Sequence, residues 1–117
     1  DENPVNLIEL FKLDDAGFKQ RFRHSPLWRA KRRGILRNAA IVLGNQRNEQ
    51  AIHALIRGLQ DVEPLVRGAS AWALGKFMHS TAQLELRNQL AIEPDPLVQQ
   101  ELVQALQSSL SAELPAD

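Results

Sequence analysis

Positively charged side chains are concentrated in one segment of this 117-residue chain, and their types and spacing suit anion binding. Residues 19–37 contain eight lysines and arginines and no acidic residue, although the formal net charge of the whole chain is zero. An arginine guanidinium can hold two phosphate oxygens at once, so this segment predicts a surface for an anionic partner. The acidic residues lie elsewhere, five of them in residues 1–18 and nine from Glu49 onward.

Seven residues are the candidates for contact with nucleic acid: Arg23, Arg29, Lys31, Arg32, Arg33, Arg37 and Asn38. On a helical wheel the four arginines from Arg29 to Arg37 fall on one side, whereas Lys31 points away if the helix is continuous. A row of guanidiniums along one edge would match a row of phosphates. The alternatives are a solvated helix face, or a docking surface for an acidic part of a longer parent chain.

Other chemistries have little support in the sequence. The chain has no cysteine, which excludes thiolate catalysis and cysteine-bound metal or iron–sulfur sites from it, and its three histidines share no metal-ligand spacing. No carboxylate pair suits acid–base catalysis, and no apolar run is long enough to span a membrane. We therefore expect a chain without catalytic residues, metal, cofactor or membrane contact, located in the cytoplasm.

The elements that position the arginines are predicted to be helices, because apolar residues recur at helical spacing and no segment alternates like a strand. Start signals divide the chain into short helices: Asp14, Ser25-Pro26, Asn48, Pro64, Ser80 and Pro96. Gly44-Asn45 ends the basic helix, which either runs through Gly34 or breaks there.

These helices repeat. The segment at 63–74 aligns with 95–106 at an offset of 32, and "GILRNAAIVLG" aligns with "LVRGASAWALG" at an offset of 31. A period of 31–32 residues predicts an all-α fold: a short stack of antiparallel, HEAT-like helical hairpins. We expect residues 1–25 to form short capping helices that connect to an upstream domain, and 26–117 to form the repeats, within one compact domain. Leu43, Leu55, Trp72 and Leu74 should be buried.

Two stretches resemble the carboxy-terminal HEAT-like domain of tRNA epoxyqueuosine reductases, which catalyse the last step of queuosine synthesis. The first, "FRHSPLWRAKRRGILRNAAIVLGN" at 22–45, carries the specific part of the pattern. The second, "DVEPLVRGASAWALG" at 61–75, resembles the second repeat of that domain. The resemblance covers most of residues 7–77, but Gly68 and Ala69 stand where the family usually has an acidic residue and a histidine.

The resemblance implies a longer parent enzyme whose upstream domains hold a cobalamin and two four-iron clusters. This chain would be its non-catalytic tRNA-facing module, with the tRNA anticodon stem-loop and the upstream catalytic domains of the same polypeptide as partners. The first residue, Asp1, is consistent with a piece of a longer protein. The alternative function is a protein–protein adaptor that docks an acidic partner through residues 19–37, since a fold does not fix a function.

Overall fold

A computed structural model describes residues 4–13, 15–21 and 28–113. This part of the chain contains seven α-helices, one 3₁₀ turn at Glu49–Ala51 and no strand: α1 Pro4–Leu10, α2 Asp15–Arg21, α3 Trp28–Gln46, α4 Ile52–Leu59, α5 Pro64–Leu74, α6 Ser80–Ile92 and α7 Pro96–Glu113. None of these helices combines the length and the hydropathy needed to cross a membrane. The predicted boundary between residues 25 and 26 lies outside the described residues.

The helices form a two-layer stack. Helices α3, α5 and α7 pack side by side as the inner layer, while α4 pairs with α5 and α6 pairs with α7 as hairpins. Helices α1 and α2 pack against α3 at the first end of the stack. The predicted all-α stack of hairpins is therefore confirmed.

Local sequence signals explain where several helices begin. Pro64 and Pro96 occupy the first position of α5 and α7, where the missing amide hydrogen costs nothing. Asn48 accepts a hydrogen bond from the backbone amide of Gln50, as expected of a capping residue. The prediction for Ser80 is wrong by one residue, because His79 occupies the cap position of α6. The predicted caps at Asp14 and Ser25 lie outside the described residues.

The core is a continuous cluster of leucine, alanine and phenylalanine side chains from both layers. Leu43, Leu55 and Leu74 are fully buried, as predicted. Trp72 is only partly buried, which corrects the expectation that it belongs to the core. Its ring packs partly on the core, carries the Lys76 ammonium 4.5 Å from its centre, and also lines a groove between the inner helices. The neighbouring residues of α5, 68–71 and Ala73, are small and leave the large ring no fully enclosed site.

Two buried ion pairs tie successive repeats together. Arg32 of α3 pairs with Asp61 in the loop before α5, and Arg67 of α5 pairs with Glu93 in the loop before α7. In the sequence Asp61 and Arg67 flank a turn, where such residues usually brace neighbouring repeats. Both do so here through other partners, and Arg67 reaches only the backbone carbonyl of Asp61, at 2.9 Å. Each carboxylate also accepts a hydrogen bond from the amide two residues further on. The two loops are thereby held to the preceding inner helix.

Glu93 is the more enclosed of the two carboxylates, since its side chain has no exposed surface. Burial alone would raise its pKa, but hydrogen bonds from Arg67, Gln89 and the Asp95 amide stabilise the ionised form, and the pKa lies below its usual value. The same hydrogen bond to Glu93 raises the pKa of Arg67. Both groups of this pair are therefore charged at neutral pH.

Close contact between inner helices depends on small residues. A Cβ atom on Gly75 would lie 2.9 Å from the backbone of Ala105, whereas a Cβ atom on Gly34 would meet nothing within 4 Å. We therefore expect Gly75→Ala to destabilise the fold by about 1–3 kcal/mol through overpacking. Gly34→Ala should instead stabilise it by about 0.5–1 kcal/mol, because alanine favours a helix interior. Urea denaturation of both variants tests this, and equal effects would contradict the packing.

Candidate nucleic-acid interface

The basic segment forms one edge of helix α3. The helix runs without interruption from Trp28 to Gln46, so the alternative in which it breaks at Gly34 is excluded. Arg29, Arg33 and Arg37 follow one another at four-residue spacing, which is a rise of about 6 Å per step. All three are exposed and lie toward the side of the helix that faces α5 and its preceding loop. We call these three residues the arginine row.

The arginine row is only weakly neutralised by the rest of the protein. The Arg29 guanidinium stacks 5.3 Å from the centre of the Trp28 ring, and Arg37 donates a hydrogen bond to the side chain of Asn38. Arg33 lies 3.8 Å from the carboxylate of Glu63, in an ion pair that is open to solvent and so contributes little. The described residues give Arg29 and Arg37 no ion pair. The row can therefore present its charge to an external anion.

Arg32 does not belong to this row, which corrects its predicted placement on the exposed face. Its side chain is 10% exposed, and both terminal nitrogens donate to the carboxylate of Asp61. The guanidinium also lies 5.4 Å from the centre of the Phe18 ring in α2. Helix α3 turns this position toward the core, because Leu36 and Leu43 share its face. Arg32 joins α2, α3 and the next repeat rather than facing solvent.

The remaining candidates are not members of the arginine row. Lys31 is exposed about 160° from Arg29, on the opposite side of the helix. Asn38 is exposed about 100° from Arg37 and touches the row only through the hydrogen bond that it accepts from Arg37. Arg23 falls in residues 22–27, outside the described part of the chain. The structure thus brings three of the seven candidates together on one edge.

Acidic residues that are distant in sequence approach the basic segment in the fold. Asp61 and Glu63 stand about 30 positions away along the chain, yet one neutralises Arg32 and the other lies beside Arg33. The positive charge is therefore weaker than the count of bases suggests, and within the arginine row Arg29 and Arg37 are the members without an acidic partner among the described residues. Charge counting along the sequence could not find this, because the acids belong to the following repeat.

The described residues contain no cluster of side chains that could hold a metal ion. No group of three histidine, aspartate or glutamate side chains converges on a point in the parts of the chain that the structure covers. His53 lies exposed on α4, and His79 occupies the N-cap position of α6 without a side-chain capping bond, so the two do not form a shared site. His24 lies outside the described residues. The arginine row is therefore the feature of the described residues on which we base a functional interpretation.

The fold can now be compared with known families. The sequence profile of HEAT repeats matches residues 27–107, which is more than half of the chain. The chain belongs to the HEAT-repeat family. This agrees with the stacked hairpins and with the 31–32 residue period.

Individual relatives show which HEAT-repeat proteins this chain is most informatively compared with. An epoxyqueuosine reductase of Listeria monocytogenes is 36% identical over 98 residues, which cover 82% of this chain and 26% of the relative. A Geobacillus stearothermophilus protein known as an uncharacterized protein in the gldA 3' region is 33% identical, over 86% of this chain and 47% of its own length. The chain therefore spans about a quarter to a half of these relatives. The resemblance to a domain of epoxyqueuosine reductases is confirmed.

A solved structure supports the same relationship. The crystal structure of an epoxyqueuosine reductase with a tRNA-Tyr epoxyqueuosine-modified stem loop aligns with 89% of this chain at a TM-score of 0.75 and 30% identity. The alignment covers 28% of the reductase chain. The similarity therefore concerns one part of a larger protein that was crystallised with RNA.

Proposed function

We propose that this chain is the non-catalytic tRNA-binding module of an epoxyqueuosine reductase. In this role it holds the anticodon stem-loop while upstream domains of the same polypeptide reduce epoxyqueuosine to queuosine. The observation that carries the proposal is the exposed arginine row on a fold that matches a stem-loop-bound reductase at 30% identity. Such a role places the protein in the cytoplasm, where it has access to tRNA.

The cofactors of the reductase would lie outside this chain. The chain has no cysteine and so offers no thiolate ligand for a four-iron cluster. The described residues also contain no cluster of metal-ligating side chains. We therefore assign cobalamin and both iron–sulfur clusters to the upstream domains and derive no catalytic step from this chain. Iron and cobalamin should both fail to bind the isolated chain after anaerobic reconstitution.

The arginine row would contact the RNA through its phosphates. Guanidiniums spaced about 6 Å apart along a straight helix edge can lie along a nucleic-acid backbone and pair with successive oxygens. Contacts to phosphate fix the position of the RNA but carry no information about its bases. The row would therefore orient the stem-loop, and the choice of substrate would depend on other contacts.

We expect tRNA binding to weaken steeply with salt and to depend on the arginine row. If Arg29, Arg33 and Arg37 each neutralise one phosphate, the slope of log affinity against log salt should be about −2 to −3. Changing one of them to alanine should reduce the magnitude of the slope by about 1, and changing all three should bring it near zero. Fluorescence anisotropy of a labelled stem-loop at several salt concentrations measures both effects.

Arg87→Ala is the matched control for this experiment. Arg87 is an exposed arginine on α6, away from the row, so its removal should leave the slope unchanged. Equal losses in Arg87→Ala and Arg33→Ala would mean that binding follows net charge and not this surface. If no RNA binds even at low salt, the proposal fails, and an acidic protein partner for residues 19–37 becomes the better interpretation.

A further inference from the structure

A groove opens between the inner helices next to the arginine row. It has a volume of about 490 Å³, and its walls are mainly apolar, with Ile41 on α3, Leu65 and Trp72 on α5, and Leu97 on α7. Leu97 is 72% exposed and Leu65 is 46% exposed, so both side chains are open to a ligand. Volumes of this size accommodate small organic groups in proteins.

The floor of the groove contains a glycine that packing does not require. A Cβ atom on Gly44 or Gly75 would lie 2.9 Å from the next inner helix, so those two positions must be glycine for the helices to pack. At Gly68 the nearest atoms would be 3.8 Å away on Glu101 and 3.9 Å away on Val98, which is ordinary contact. The backbone at this position is helical, and alanine would stabilise a helix better than glycine does. Gly68 therefore leaves open space that the fold itself does not need.

Polar groups stand on opposite walls of this apolar space. Arg37, the last member of the arginine row, lies at the α3 wall, and Glu101 lies at the α7 wall. Glu101 is partly buried, and its carboxylate makes no hydrogen bond or ion pair with the described residues. Asp95 is already engaged, because it accepts hydrogen bonds from the amides of Leu97 and Val98. Glu101 is thus an available acceptor that faces an apolar groove.

We propose, on the premise that the arginine row binds RNA, that this groove receives one unpaired base of the bound strand. Arg37 would hold the adjoining phosphate. The flat base would lie against Leu65 and against the part of the Trp72 ring that lines the groove, beside the Lys76 ammonium that lies over the ring. Unpaired bases are recognised in this way, by stacking on aromatic rings and by hydrogen bonds to their edges. A protein helix is a weaker match for the groove, because the guanidinium that flanks it is continuous with a row suited to phosphate.

The free carboxylate determines which bases fit. Glu101 accepts hydrogen bonds and cannot donate them, so it favours a base with an exocyclic amino group, as in adenine, cytosine and guanine. Uracil instead presents carbonyl oxygens on both sides of its one N–H. These oxygens are acceptors, and the carboxylate of Glu101 would repel them. The groove should therefore take an amino-bearing base in preference to uracil, which gives the surface a selectivity that phosphate contacts lack.

The tryptophan in the groove provides a direct test. The chain has two tryptophans, so the Trp28→Phe variant leaves Trp72 as the sole source of tryptophan emission. Short single-stranded adenosine or cytidine oligonucleotides should quench this emission on binding. Uridine oligonucleotides should quench it less, and an abasic strand of the same length should not quench it. Anisotropy of the labelled strands reports phosphate binding independently in the same samples.

Two groove variants separate this inference from the proposed function. Gly68→Leu should fill the groove and abolish quenching while it leaves the salt slope unchanged, and Glu101→Gln should reduce the preference for adenosine over uridine severalfold. Circular dichroism checks that Gly68→Leu is folded, and Glu101→Gln tests the site if it is not. If anisotropy detects no RNA binding, both the proposed function and this inference are contradicted. RNA binding without a Trp72 response, or with equal quenching in Gly68→Leu, would overturn the inference alone.

Discussion

Glu93→Ala should be the most destabilising change of a single acidic residue in the repeats. The substitution leaves the guanidinium of Arg67 without its carboxylate, and that arginine side chain is only 11% exposed. Removing one partner of a buried ion pair typically costs about 3–5 kcal/mol, because the other charge stays buried without compensation. Glu93 also accepts from Gln89 and from the Asp95 amide, so those donors lose their partner as well. Urea denaturation at neutral pH measures the loss.

Glu101→Ala is the matched control for the stability measurement. This substitution also removes one carboxylate, but the Glu101 carboxylate makes no ion pair in the described structure. The free energy of unfolding should therefore change by no more than about 0.5 kcal/mol. A similar cost for the two variants would show that net charge, and not the pair with Arg67, determines stability here.

The same pair makes stability depend on pH. The pKa of Glu93 is lowered in the folded protein, against about 4.3 in an unfolded chain. Its contribution is therefore fully present above that unfolded value and is lost as the pH falls through the lower folded pKa, because the unfolded chain then binds the proton more strongly. Glu93→Gln should remove this part of the acid sensitivity. A variant with the wild-type pH profile would contradict the assignment.

The hairpin architecture could be predicted from the sequence for clear physical reasons. Pro64 and Pro96 mark helix starts because the ring fixes the backbone and lacks an amide hydrogen. The period of 31–32 residues reflects the repeated need of each hairpin to bury its apolar face against the next one. Both signals are local or periodic, so they can be read without knowing which side chains meet.

Contacts between repeats were much harder to predict. The helical wheel places Arg32 near the exposed arginines, but a wheel does not show that the next repeat brings Asp61 to that side. Trp72 was expected in the core for a similar reason, since its partial exposure depends on how α5 and α7 are spaced. One signal was available: "DVEPLV" and "EPDPLV" begin 32 residues apart, and both start with the acid that pairs with an inner-helix arginine.

Arg32→Ala should lower stability strongly and leave RNA binding intact, the opposite of what its place in the basic segment suggests. Its side chain is 10% exposed, and its loss leaves the Asp61 carboxylate without its guanidinium. We expect a cost of about 3–5 kcal/mol by urea denaturation, comparable to that of Glu93→Ala. Measured well below its unfolding temperature, the variant should keep the wild-type salt slope for tRNA, because the buried guanidinium releases no counterion from a phosphate.

Arg33→Ala, one residue further along, should behave in the reverse manner. Arg33 makes an ion pair that is open to solvent, so its removal should cost less than about 1 kcal/mol of stability. It should nevertheless reduce the magnitude of the salt slope by about 1, as one phosphate contact is lost. Measuring both quantities for both variants therefore separates the structural arginine from the RNA-facing one. If Arg32→Ala loses salt-dependent binding while its stability stays near wild type, Arg32 is released toward the RNA and its assigned position in the core is wrong.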